Sequence, residues 1–207
     1  MRPWALSVAV LLSFAAAGCA STQVVHEWRN PELAAPARFK KVMVVEISTQ
    51  PGIRRSFEDE FVRRLKAAGV DAVASYRYIA DDGPVPEPRR QEAAAQAGAD
   101  ATLITRLVRV EQMYPVNPYY YYPPPPRVFY RGYAGPWYGY YGPPAYPYPV
   151  YVSETSLYDT TRNELVWSGT VETSPTGVSE DIPNYVNAVI EALQKQNLLA
   201  GATPPRG

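Results

Sequence analysis

The chain has 207 residues, with 20 Lys and Arg against 20 Asp and Glu, and 46% of its residues are hydrophobic. A neutral balance argues against a nucleic-acid surface or a strongly charged membrane patch, and the length admits one domain with a substantial core. One histidine, His26, and one cysteine, Cys19, cannot supply the usual zinc ligand set, so no metal is expected.

The first element is a leader. Arg2 gives a positive start, and residues 5–17 are almost wholly apolar. That length suits the apolar stretch of a signal peptide and falls short of the roughly 20 residues a membrane-spanning helix needs. The run closes on Ala16-Ala17-Gly18-Cys19. This resembles the lipobox of bacterial lipoproteins, in which small residues precede a cysteine that is lipidated and becomes the new N-terminus. The resemblance implies cleavage between Gly18 and Cys19, and a covalent diacylglycerol and N-acyl lipid (palmitate or similar) on Cys19; no other cofactor is expected. A lone cysteine in an exported chain has no disulfide partner within it. Stable anchoring takes more than one acyl chain, which such a group supplies. Ala20 stands where Asp would favour the inner membrane, so the expected location is the cell envelope, at the periplasmic face of the outer membrane.

Residues 20–38 contain Pro31 and Pro36 and no sustained periodicity, and read as a tether, with Trp28 packing back on the domain. Residues 41–48 are rich in β-branched side chains and predict a buried strand, followed by the turn signal Gln50-Pro51-Gly52. Residues 53–68 predict a helix with Phe57, Phe61, Leu65 and Ala68 on one face, Asp59 facing Arg63, and Glu60 facing Arg64. Gly69 suits the position after its end. Residues 70–79 predict a second strand, broken by Asp81-Asp82-Gly83-Pro84. Residues 88–97 predict a second helix, with Pro88 at its start and Gly98 after its end. Residues 100–111, with Leu103, Ile104, Leu107, Val108 and Val110, predict a third strand.

Residues 114–151 differ in kind. They hold 13 of the 17 tyrosines and 11 of the 22 prolines, and their only charges are Arg127 and Arg131. Proline at this density excludes helix and central strand, so an extended, disordered low-complexity loop is expected. Structure then resumes as a hairpin, residues 150–158 and 164–172, with turn chemistry at residues 159–163. Leu165, Trp167 and Val171 are the core side of its second strand. A last helix is expected with Asp181 as cap, Pro183 in its first turn, and an apolar stripe of Val186, Val189, Ile190 and Leu193. The domains read as residues 1–18 signal peptide, 19–38 lipidated N-terminus and tether, 39–200 domain interrupted by the 114–150 loop, and 201–207 flexible tail. The fold class is α/β (α+β): a single mixed sheet in the order β-α-β-α-β, then a β-hairpin and a C-terminal helix.

The chain also resembles a group of small bacterial envelope lipoproteins of unassigned function. The residues that carry this are Trp28-Arg29-Asn30-Pro31, the run 39–45, Arg54-Arg55-Ser56-Phe57-Glu58, the run 69–76, Gly98-Ala99-Asp100-Ala101, Leu157-Tyr158-Asp159 and Leu165-Val166-Trp167-Ser168. The element order is similar to the α/β domains of lipoproteins such as the curli secretion component and the penicillin-binding-protein activators, which implies a role in envelope assembly or partner recruitment.

Catalytic chemistry finds little support. His26 lies in the tether, and no Gly-x-Ser-x-Gly elbow, phosphate loop or dinucleotide fingerprint is present. The acidic groups Asp81-Asp82, Glu58-Asp59-Glu60 and Glu180-Asp181 each have a structural role available as turn, helix surface or cap. Arg54 and Arg55 at a helix start either serve an anion or pair with Glu58 and Asp59. A non-enzymatic accessory role is therefore expected, with the membrane reached through the lipid anchor and an envelope protein as partner. The aromatic loop supplies the candidate interaction residues: Tyr119, Tyr120, Tyr121, Tyr122, Arg127, Tyr130, Arg131, Trp137, Tyr140 and Tyr141. Large flat side chains give contact area at low entropic cost. Alternative readings are a spacer with no specific ligand and, behind it, a glycan binder for peptidoglycan or polysaccharide; a cryptic hydrolase built on a carboxylate pair is the remaining alternative.

Overall fold

A computed structural model describes residues 22–33, 38–80, 86–114 and 146–201. The first strand, β1 (Thr22–Arg29), lies in the segment read as a tether and pairs antiparallel with a strand near the other end of the chain. A bulge between Val24 and His26 breaks its alternation, which hides a strand from a period-of-two reading. His26 is therefore a strand residue, and Trp28 stands exposed rather than folded back on the core.

The remaining elements follow in order: β2 (Lys41–Ile47), α1 (Pro51–Ala67), β3 (Asp71–Ala74), α2 (Glu87–Ala97), β4 (Ala101–Met113), β5 (Tyr148–Asp159), β6 (Glu164–Thr173) and α3 (Val178–Lys195). They build one mixed six-stranded sheet with the order β1-β6-β5-β4-β2-β3, an α+β fold. The β2 strand runs parallel to β3 and β4, and the other pairs are antiparallel.

Alternation along β2 divides the core. Val42 and Val44 face Phe61 and Leu65 of α1 and Val186, Val189 and Leu193 of α3, together with Leu103, Leu157, Trp167 and Val171. Met43 and Val45 face Ala93, Ala94 and Ala97 of α2 on the opposite side. Each large apolar side chain so buried contributes about 1.5–3 kcal/mol. The small residues of α2 form its apolar contact with Met43 and Val45.

Local expectations are corrected at three points. The β3 strand ends at Ala74, because Ser75–Arg77 turns into a 3-10 helix whose buried Ser75 hydroxyl is taken up by the polar cluster described below. The α3 helix begins at Val178, not at Asp181. The Asp181 carboxylate instead reaches back and accepts bonds from the Thr176 and Gly177 backbone N–H groups and the Thr176 hydroxyl. Pro183 lies one turn further in. On α1, Glu60 accepts from both Arg63 and Arg64, while Asp59 accepts from the Tyr76 hydroxyl at 2.6 Å rather than from Arg63.

Trp167 and Gly169 form one packing unit on β6. The indole is fully buried, and its Nε1 donates to Glu27 Oε2 of β1 at 3.4 Å. It lies flat along its own strand, so that a Cβ at Gly169 would sit 2.4 Å from Trp167 Cη2. Gly169→Ala is expected to lower stability by about 2–3 kcal/mol, the upper part of the overpacking range, because a rigid buried indole has nowhere to move. Urea unfolding followed by Trp fluorescence measures it; an unchanged midpoint would show that the indole can shift.

Candidate functional site

The β4 and β5 strands are 13 and 12 residues long, whereas β2 is 7. The β2 strand pairs with β4 only as far as Ile47 opposite Arg106. Beyond it β4 and β5 continue as an arm, paired through Met113 opposite Tyr148, with β6 beside β5 as far as Thr173 opposite Tyr151, so that only the tip of the arm is two-stranded. The β4 strand thus ends and β5 begins at adjacent positions at the tip of this arm. The candidate residues Tyr119, Tyr120, Tyr121, Tyr122, Arg127, Tyr130, Arg131, Trp137, Tyr140 and Tyr141 lie outside the described residues, as do Gly18 and Cys19, Asp81-Asp82 and residues 202–207.

The arm buries Val150 and Val152 but leaves other apolar side chains in the open. Leu107, Val108, Val110, Met113, Tyr148 and Tyr151 are all exposed, and Leu107 is 52% so. The apolar pattern of β4 predicts a core strand, but only its first half is covered, and Leu107, Val108 and Val110 stand exposed past the last β2 pairing. Arg109 and Glu111 form an ion pair along the arm. Contiguous exposed apolar surface of this kind marks interaction sites.

A second feature is a buried polar cluster on the face covered by α1 and α3. Arg54, Glu58, Phe61 and Leu65 share one side of α1, so a charged pair continues the apolar stripe inward. The Glu58 side chain is fully buried. It accepts from Arg54 Nε at 3.0 Å, Ser75 Oγ at 2.7 Å, and the backbone N–H groups of Glu46 at 3.1 Å and Tyr76 at 3.0 Å. The Arg54 guanidinium also donates to Ser75 Oγ at 2.8 Å. Of the two sequence readings for Arg54, the ion pair with Glu58 is the one realised. Arg55 instead lies 5.3 Å from the Tyr76 ring centre.

Glu46 of β2 borders this cluster. Burial, then the neighbouring Glu58 carboxylate, raise its carboxyl to a pKa of about 8. Its Oε2 has no hydrogen-bond partner among the described residues. Nearby, the Tyr185 hydroxyl shares a hydrogen bond with Thr155 at 2.6 Å, and Thr155 another with Thr105 at 2.9 Å. Burial pushes the Tyr185 hydroxyl well above its usual range. Its ring meets Phe57 and Phe61 edge to face, with centres 5.6 and 6.2 Å away. In the sequence, the one signal for Glu46 is an acid inside the otherwise apolar run Val-Met-Val-Val-Glu-Ile.

The opposite face of the sheet is open where α2 stops. There Arg106 donates to Glu154 at 2.7 Å, Ser168 donates to the same carboxylate, and the Arg106 bond holds the Glu154 pKa below the usual carboxylate value. A cleft of about 260 Å³ lies at the edge of α2, lined by Glu87, Arg90, Thr102, Ile104, Tyr158 and Thr160 among others. The perturbed Glu46 and this cleft are on opposite faces, whereas acid–base chemistry needs both in one place. The three acids 58–60 point to three separate partners. Among the described residues no three His, Cys, Asp or Glu side chains gather as a metal site, and no helix is long and apolar enough to cross a membrane.

No protein-family model matches the chain, and no curated protein does. Among solved structures it is similar to the PelC dodecamer (an L103M variant) of Paraburkholderia phytofirmans, at 19% identity over 84% of this chain and 96% of that one, with a TM-score of 0.47. It is also similar to the lipoprotein GNA1162 of Neisseria meningitidis, at 14% identity over 77% and 99% of the two chains, with a TM-score of 0.40. Neither likeness transfers a site or an activity.

Proposed function

We propose that this protein is a non-enzymatic accessory lipoprotein of the bacterial envelope, anchored through Cys19, whose β4–β5 arm is its interaction surface for an envelope protein. The observation that carries this is the run of exposed apolar side chains on the arm, Leu107, Val108, Val110, Met113, Tyr148 and Tyr151, past the last β2 pairing. Loops and ribbons held by a rigid scaffold commonly carry recognition. The tyrosine- and proline-rich segment joined to its tip adds the residue types that interfaces favour. The leader and the run Ala16-Ala17-Gly18-Cys19 support the anchor and the outer-membrane location.

A second reading is glycan binding on the open sheet face. Its support is the exposed Trp28, opposite Ser168 in register and on the same face as Glu154 and Arg106.

In-cell crosslinking with mass spectrometry tests the two. The intact lipoprotein is compared with the variant Leu107→Ser/Val110→Ser/Tyr151→Ser, whose three positions are exposed. Specific envelope proteins captured by the intact form and lost from the variant are the expected result. Equal capture by both would remove the arm from the reading, and recovery of peptidoglycan fragments in place of protein would favour the open face.

A further inference from the structure

We propose that the free edge of β4 pairs with the same edge of a second copy of this chain, antiparallel and centred on Val110. The inference rests on the arm being an interaction surface, and it names one partner for it.

Past Arg106, β4 has β5 on one side and, among the described residues, no strand on the other. Such an edge presents unpaired backbone N–H and C=O groups and is a template for strand addition. The sequence of this edge is self-complementary. A two-fold axis at Val110 sets Arg109 opposite the partner's Glu111 and Glu111 opposite the partner's Arg109. Val110 then faces the partner's Val110. An edge built for a different protein has no reason to be complementary to itself. The ion pair between Arg109 and Glu111 within each chain persists, and pairing joins the two into a ladder of alternating charge.

The apolar side chains follow the same symmetry. Within the chain Val110 is paired with Tyr151 across the arm, and both are exposed. Pairing through Val110 makes one continuous row of four: Tyr151, Val110, the partner's Val110 and the partner's Tyr151. On the other side of the ribbon, Arg109 lies opposite Val152 and Glu111 opposite Val150, so the charges of the ladder are flanked by apolar neighbours. The bulge between Leu107 and Arg109 ends the regular ladder, limiting it to a few residues. The interface is therefore small and isologous, in the class of reversible association.

Charge reversal reads this register directly, using the full chain in detergent and light scattering over a concentration series. Arg109→Glu alone and Glu111→Arg alone each place like charges opposite one another twice, and each should weaken the dimer about tenfold. An equimolar mixture of the two single variants should recover association, because each chain then meets its opposite. The double variant Arg109→Glu/Glu111→Arg should dimerise like the parent. A chain that stays monomeric throughout would overturn the proposal, as would an oligomer indifferent to the reversals, or single variants that weaken without recovery on mixing. The reversals are at exposed positions and leave Leu107, Val110 and Tyr151 in place. A failure here therefore leaves the envelope-protein reading to its own crosslinking test.

Discussion

Arg54→Met is expected to destabilise the fold by about 3–5 kcal/mol, the range for removing one partner of a buried ion pair. The side chains of Arg54 and Glu58 are 3% and 0% exposed, so the carboxylate left behind has no water to replace the guanidinium. Ser75 Oγ and the N–H groups of Glu46 and Tyr76 still bond to Glu58, but none of them carries a positive charge. Adding Glu58→Gln to the Arg54→Met chain removes the unpaired charge and should recover part of the loss. Full recovery is not expected, because the amide accepts through only one of its two polar atoms while the site presents several donors. Chemical denaturation of the parent and both variants measures this. A loss below about 1 kcal/mol for Arg54→Met would mean that the pair behaves like a surface salt bridge.

Glu46→Gln should change how stability depends on pH. Burial raises the folded carboxyl to a pKa of about 8, against 4.5 for an ordinary glutamate. Between those values the folded state keeps a proton that the unfolded chain has released. The stability contributed is therefore fully present below pH 4.5, falls as pH rises, and is lost by about pH 8. The slope is at most about 1.4 kcal/mol per pH unit, with an upper bound on the order of 5 kcal/mol over the window. Glu60 and Glu154, held low by arginine hydrogen bonds, act with the opposite sign and in more acid solution, so they leave this window clear. Glu46→Gln should match the parent near pH 5 and exceed it at pH 8. Urea midpoints at several pH values decide the matter, and parallel profiles for the two proteins would show that Glu46 is not the group responsible.

Both effects originate in one cluster, and its legibility in the sequence was uneven. Arg54 and Glu58 stand at helical spacing with Phe61 and Leu65, so the face they occupy can be read directly. Their burial cannot, because it depends on β3, the 3-10 turn and β2 closing over that end of α1. Glu46 interrupts an apolar strand, which is a signal in itself. That it lies beside Glu58 follows only from β2 and α1 packing face to face.

The main elements from β2 onward could be read locally. The β-branched run of β2, the amphipathic pattern of α1, the turn residues between β5 and β6 and the stripe of α3 each reflect a period set by backbone geometry. Their existence, order and α+β class were determined by the sequence alone. The proposal that Cys19 is a lipidation site also rests on the sequence alone, since it depends on a linear motif and on no fold. Tertiary structure decided three other matters. It placed β1 at the sheet edge, where a bulge masks the strand period. It left the second half of β4 exposed, although its composition matches the buried half. It drew Arg54, Glu58 and Glu46 together out of reach of water. The physical reason is common to all three: periodicity states which side of an element is apolar, but only the length and position of distant elements determine whether that side is covered. The β4 strand runs on to Met113 past its last β2 pairing at Arg106, and nothing within its own sequence records where its cover ends.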